Sequence, residues 1–270
     1  MIPLRDNIPP RSFPFVNYLM IALCTLAFLT QLMERSSQQD QLVARLGMIP
    51  VRVLHPRESI TVTQEALVRS GQGYQQVTVE RTLPPLPFSP WWTLLTCIFL
   101  HGGWMHFLGN MWFLHIFGDN VEDRFGHWGY GLFYLGSGAA ASLSHLISNP
   151  QSAIPTIGAS GAIAGVMGAY LWLYPRAKVM TLLPLGMFTQ MLVVPAPFFL
   201  ILWFLMQFFE GTFAITAGKS GGVAWWAHIG GFVIGLGVAW LLDKVHLARA
   251  PVDIIRPHTD RTRIYRLPRQ

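Results

Sequence analysis

Seven polar side chains stand in or against stretches of this 270-residue chain that are otherwise apolar: His101, His106, Asn110, His115, His145, Ser160 and His228. A polar group left unpaired at membrane depth is costly, so each is a functional candidate by default. Ser160 has the most suggestive surroundings. It sits in the run Gly158, Ala159, Ser160, Gly161, at the head of an uncharged segment. A serine opening a helix also has a plain use as a cap. Here, however, glycines on both sides leave the hydroxyl uncrowded and allow a substrate backbone to approach closely. The helix start meanwhile directs free N–H groups at any oxygen bound there. That arrangement suits stabilisation of an oxyanion.

The segment after Ser160 carries Gly161, Ala162, Ala164, Gly165, Gly168 and Ala169, and a second segment reads Ala227, His228, Ile229, Gly230, Gly231, with Gly235 and Gly237 beyond. At about 100° per residue, His228, Gly231 and Gly235 share one helical face. Two small-residue faces can pack at short axial distance. If these two do, His228 comes within hydrogen-bond range of Ser160, as a nucleophile and its general base. The alternative is that His228 only bonds a neighbouring helix. His106 and Asn110, four apart, also share a face, where imidazole and amide could bind the oxygen of a tetrahedral intermediate; Asn110 could equally be interhelical glue. His115 points elsewhere, and His145 has no partner visible in sequence. A zinc or cation path lined by His101, His106, His145 and His228 competes weakly. There is no H-E-x-x-H run, and Asp119, Glu122, Asp123 and Glu210 lie at segment ends.

Composition says what must position these groups. Hydrophobic residues make up 52% of the chain and charged ones only 12%, with 25 Gly, 18 Phe and 10 Trp. A water-soluble globule with a mean hydropathy of +0.40 would have too little polar surface to cover itself. Spanning a bilayer takes roughly 20 mostly apolar residues. Uncharged runs near that length are Phe15–Met33, Gly103–Gly118, Trp128–Ser148, Gly158–Tyr174, Pro195–Phe209 and Val223–Leu242. The expectation is therefore an all-α polytopic membrane protein of six transmembrane helices. Cys24 and Cys97, both in apolar stretches, support neither a disulfide framework nor a cysteine metal site.

Of the 19 Lys and Arg, seven lie beyond residue 243 (Lys244, Arg249, Arg256, Arg261, Arg263, Arg266 and Arg269). A basic tail on a membrane protein faces cytoplasm and anionic lipid more often than nucleic acid. With both termini cytoplasmic, that side also collects Arg5, Arg11, Arg124, Arg176 and Lys178. The long first extracytosolic loop, about residues 36 to 90, contains Ile60–Thr63 and Gln76–Thr82, whose β-branched alternation around Ser70, Gly71 and Gly73 predicts a small hairpin. Trp91–Leu100 is too short to span and suits the interface. Val179–Val194, broken by Pro184 and Gly186, is expected at the cytoplasmic interface.

In combination these motifs resemble the rhomboid family of intramembrane serine proteases. The matching pieces are His101 with His106, Phe107, Leu108, Gly109 and Asn110; then Gly158, Ala159, Ser160 and Gly161; then Ala227, His228, Gly231 and Gly235, in the family's order and segment placement. The resemblance covers about residues 12 to 243. It implies a six-helix bundle whose active site opens to water from the extracytosolic side. Ser160 would be the nucleophile and His228 the base, without an acidic third member. Asn110, His106 and the Ser160 backbone N–H would stabilise the oxyanion, with Gly158 shaping the backbone around it. His101 would have a supporting role at most. In one departure, some members carry an aromatic residue four places after the serine, packed on the histidine ring; here that place is Ala164. The division expected is a cytoplasmic N-terminus (1–14), a protease domain (15–243) with a loop insertion near 51–86, and a basic tail (244–270). Partners implied are single-pass or other membrane protein substrates and the lipid bilayer, with no nucleic acid, cofactor or metal. A prokaryotic plasma membrane fits the lack of a transit peptide. The alternative from the binding class, a protease-like protein that only escorts clients, does not need the whole set Ser160, His228, Asn110 and His106.

Overall fold

Charge-free length makes the first helix. Pro14 precedes α1 (Phe15–Met33), and the backbone turns extended at Glu34 where the apolar run ends. No side chain within α1 caps its start. Instead the Glu122 carboxylate, buried on a distant helix, accepts the N–H groups of Val16 at 2.9 Å and Asn17 at 2.7 Å. This satisfies two of the four donors a helix N-terminus leaves open. The computed structural model describes residues 1–34, 36–70, 73–185, 188–216 and 224–250. Gly71 and Gly186, the start of the last apolar run at Val223 and the tail residues 251–270 lie outside the described residues.

The chain begins with a strand, β1 (Ile2–Asp6), ahead of α1. The first loop then holds α2 (Ser36–Leu46), the short α3 (Pro50–Leu54) and a hairpin of β2 (Ile60–Ser70) and β3 (Gly73–Leu83), paired from Ile60 opposite Leu83 to Ser70 opposite Gly73. The expected hairpin is present and longer than the alternation suggested. Trp91–Leu100 coils into α4 (Thr93–Thr96) between two 3-10 turns. Next, α5 (Trp104–Ser148) takes in the second and third apolar runs as two arms meeting at Gly126, whose φ of 70° and ψ of 163° only glycine adopts readily. After it come α6 (Ser160–Leu173), β4 (Lys178–Leu185), β5 (Phe188–Pro195), α7 (Ala196–Thr216) and α8 (Trp225–Lys244).

The all-α expectation is thus corrected by two small sheets. Pro184 and Gly186 deny a helix to the apolar stretch after α6, and it folds as the β4–β5 hairpin, onto which β1 adds antiparallel to give the order β1-β4-β5. Asp6, at the end of β1, accepts hydrogen bonds from the Asn120 amide, the Tyr170 hydroxyl and the Ile8 N–H. Burial pushes its carboxyl up to about 6, against the hydrogen bonds that lower it.

One charged run ties helix ends together. Beside Glu122, Asp123 accepts the backbone N–H of Arg11 and both donors of Ser12, fixing the approach to α1. Arg124 bonds the Leu173 carbonyl at the end of α6 and pairs with Asp243 on α8 at 2.9 Å. Outside, the bundle is apolar: Met33 is 86% exposed, Trp128 88% and Leu132 77%. Such a continuous apolar exterior is stable against lipid tails and not against water. By length and composition, α1 and α8 are each sufficient to cross a membrane, whereas the apolar parts of α6 and α7 are shorter.

The bundle centres on α6, buried continuously from Gly161 to Tyr170. Its neighbour is α8, and they meet backbone to backbone. A methyl added at Gly231 would fall within the van der Waals shell of the Gly161 carbonyl oxygen, and one at Gly235 within that of Gly165; at Gly168 it would strike the Phe232 carbonyl of α8. Backbone cannot rotate aside as a side chain does, so relief requires the helices to separate. Gly235→Ala should therefore destabilise the fold by about 1–3 kcal/mol, read as a lowered thermal midpoint in detergent. Gly237→Ala, with nothing near its added methyl, should melt as the unmodified protein does. Equal midpoints for the two variants would contradict this packing.

Asp6 generates a pH prediction. Its carboxyl, ordinarily 3.8, lies near 6 in the fold. The folded state therefore holds this proton more tightly than the unfolded chain. Its contribution to stability is complete below about 3.8 and is lost as pH rises through about 6. The thermal midpoint of Asp6→Asn, followed from pH 4 to 8, should lack that component of the fall. Superimposable slopes with the unmodified protein would refute it.

Candidate active site

Ser160 is the first residue of α6, preceded by an irregular segment held from two sides. Thr156 pairs with Met48 of the first loop, N–H to carbonyl in both directions at 2.8 and 3.0 Å. The Gly158 N–H bonds the Cys97 carbonyl at 2.9 Å. Gly158 has a φ of +126°, and a side chain there would run into the His106 ring, so glycine meets both a conformational and a spatial demand. The chain then enters α6 with the Ser160 hydroxyl facing α8.

His228 lies in the first turns of α8, on the glycine face. Because Gly231 and Gly235 let α8 approach α6 closely, Nε2 of His228 comes within 2.7 Å of Ser160 Oγ. The other ring nitrogen, Nδ1, lies 2.6 Å from Oε1 of Gln207 on α7. Trp203 and Trp225 flank the ring, with centroids 5.9 and 6.1 Å away. Ala164 is fully buried and contributes no ring, so the aromatic neighbours of His228 come from α7 and α8 rather than α6.

His106 and Asn110, on the first arm of α5, line the same cavity as Ser160 and His228, a space of about 480 Å³. The Gly102 N–H bonds Nδ1 of His106, which makes that nitrogen the acceptor and leaves the proton on Nε2, the nitrogen beside Gly158. The Nδ2 of Asn110 has no hydrogen-bond partner among the described residues. Two donors from α5 and the open N–H groups at the start of α6 thus border one cavity next to a hydroxyl bonded to imidazole. Chemically, such a set can deprotonate the hydroxyl and receive negative charge on an oxygen bound beside it.

The remaining histidines separate. His101 is fully buried just ahead of α5, edge-on to Phe28, His106 and Phe107. Its backbone is clamped by Gln31, which accepts its N–H at 3.0 Å and donates to its carbonyl at 3.1 Å. His115 sits outside the cavity beside Tyr18 and Trp112. His145, on the second arm of α5, is not among the cavity-lining residues. Among the described residues, no three of His, Cys, Asp and Glu are grouped as metal ligands would be. Sequence reasoning missed Gln31 and Gln207. The signal was available, since both are polar residues inside uncharged runs and belonged with the intramembrane candidates.

A rhomboid domain is matched over residues 89–244, more than half of the chain. Rhomboid-like protein 11, chloroplastic, of Arabidopsis thaliana is 29% identical over 175 residues, covering 62% of this chain and 58% of that protein. RHOMBOID-like protein 5 of the same plant is 40% identical over 80 residues, 30% of this chain and 26% of its own. Rhomboid protease GluP of Bacillus subtilis is 36% identical over 104 residues, 38% of this chain and 20% of that protein. The chain thus spans from about a fifth to three fifths of the length of these relatives. The matched stretch contains His106, Asn110, Ser160 and His228, and with the mostly helical fold it establishes that this chain is a helical membrane protein belonging to the rhomboid family.

Proposed function

We propose that the chain is an intramembrane serine endopeptidase that cleaves peptide bonds in or near transmembrane segments of other membrane proteins. The observation that carries this reading is the 2.7 Å contact between Ser160 Oγ and His228 Nε2 inside a cavity bordered by the unbonded Nδ2 of Asn110. Ser160 is the nucleophile. His228 takes its proton as the oxygen attacks the scissile carbonyl, then returns it to the leaving amine. The tetrahedral oxyanion forms beside Asn110 Nδ2, His106 Nε2 and the Ser160 N–H, with the Gly158 turn leaving room for the substrate backbone. Kinship with relatives named rhomboid proteases supports the same reaction class.

In this reading the bundle crosses the bilayer six times: by α1, by each arm of α5, and by α6, α7 and α8. Both termini and the β1-β4-β5 sheet lie on the cytoplasmic side, where the positive charge collects. The protease domain runs over 15–243, between the N-terminal segment (1–14) and the basic tail (244–270), with the β2–β3 hairpin as the insertion near 51–86. The membrane is a prokaryotic plasma membrane.

A helix in the substrate presents carbonyls already bonded within itself, so the segment must unwind locally to offer one to Ser160. Substrates with small or helix-breaking residues near the cleavage point should be hydrolysed faster than a rigid poly-leucine segment. Equal rates would count against the mechanism.

A serine-directed fluorophosphonate tests the nucleophile directly. Labelling should disappear in Ser160→Ala and fall to background in His228→Ala. Retention in Ser160→Ala would remove the reading. Asn110→Ala should keep the fold while lowering kcat for a cleavable transmembrane peptide by about 10²–10³.

A further inference from the structure

Gln207 is nine-tenths buried on α7, in a stretch otherwise made of Phe, Leu, Ile, Trp and Met. Its side chain borders the same cavity as Ser160. Oε1 lies 2.6 Å from Nδ1 of His228, while Nε2 of that ring lies 2.7 Å from Ser160 Oγ. An amide oxygen can only accept, so this bond requires the proton to sit on Nδ1. The lone pair is then on Nε2, facing the Ser160 hydroxyl. In the other tautomer Nε2 carries hydrogen and cannot take the serine proton. The bond to Gln207 thus selects the one form of the ring that can act as a base.

No other polar atom is bonded to the ring among the described residues. Trp203 and Trp225 limit how far it can swing, but an aromatic face does not distinguish the two nitrogens. The place four residues after the serine is Ala164, so α6 supplies no ring to pack on the imidazole. The tautomer therefore rests on α7, which also supplies Trp203 to limit the ring's rotation.

We infer that Gln207 is a positioning residue of the active site, a neutral third member that holds His228 in its base-competent tautomer and rotation. This rests on reading Ser160 and His228 as nucleophile and base. During attack the serine proton moves to Nε2, and the Nδ1–H remains donated to the amide oxygen. No proton passes to Gln207.

The test uses the full-length protein and a fluorophosphonate probe, with kinact and KI measured separately. Without its acceptor, the ring divides between two tautomers and turns more freely. Gln207→Leu should then lower kinact about tenfold or more while leaving KI within about twofold. Gln207→Glu restores an acceptor and should recover kinact to within about threefold. Its carboxylate favours the imidazolium, so the acidic limb of the kinact–pH profile should move to higher pH than in the unmodified protein. Among the described residues, the titratable groups that act on His228 are His106 and His145 on α5, present in every variant, so the difference between profiles isolates position 207. Should Gln207→Leu fail to fold, Gln207→Met, which keeps length without the acceptor, is judged by the same ratio. Unmodified kinact in the acceptor-less variant, or a Gln207→Glu protein as slow as it, overturns the inference. In both cases loss of labelling in Ser160→Ala leaves the protease reading intact; labelling that survives Ser160→Ala sinks that reading itself.

Discussion

The contact on which the site depends is between two stretches of peptide backbone. Where α6 crosses α8, the carbonyls of Gly161 and Gly165 occupy the space that side chains at Gly231 and Gly235 would fill. Lipid tails are as apolar as leucine, so helices in a bilayer gain little by burying large apolar residues against each other. They gain by close van der Waals contact, which small residues permit. The same approach brings Ser160 and His228 together, because each stands within a turn or so of the glycine contacts on its own helix. A separation set by backbone is stiffer than one set by flexible side chains, and a proton transfer needs its heavy atoms held within a few tenths of an ångström.

A second constraint governs the polar atoms. At the end of the bundle where β1 lies, the carboxylates and Arg124 bond across elements: Glu122 to two helix N–H groups, Asp123 to Arg11 and Ser12, Arg124 to a carbonyl and a carboxylate. Each of these bonds closes a helix end or fixes an entrance to one. Around Ser160, Asn110 Nδ2 is buried without a partner among the described residues. An orphaned donor is a loss to the resting fold, recovered when a ligand oxygen arrives.

Much of this was legible in the chain. Charges at Glu34, Arg124, Arg176 and Asp243 mark helix ends because ions are expelled from an apolar environment, and α1 runs over the very residues its uncharged stretch defines. The glycine faces were readable because helical periodicity is rigid. The β1-β4-β5 sheet was not. Strand pairing between residues 2–6 and 178–185 depends on a partner about 175 places away, and no local pattern reports it. Asn17, Gln31 and Gln207 were passed over for another reason. One amide in a long apolar run barely alters its hydropathy, yet each of them makes a specific buried bond.

Gln207 also shows why an amide suits this environment better than the carboxylate that its place invites. A carboxylate beside His228 would stabilise the imidazolium formed during proton transfer. It would also have to be carried, charged, into a low-dielectric bundle at a cost of several kcal/mol, offset only by complete bonding. Among the described residues, no arginine or backbone N–H is bonded at that spot to complete such a set. A neutral oxygen asks for one hydrogen bond and receives it from Nδ1. It fixes the tautomer, which is the geometric requirement of the proposed proton transfer. Where no counter-charge is bonded, as among the described residues around Gln207, orientation is what an amide keeps at small cost.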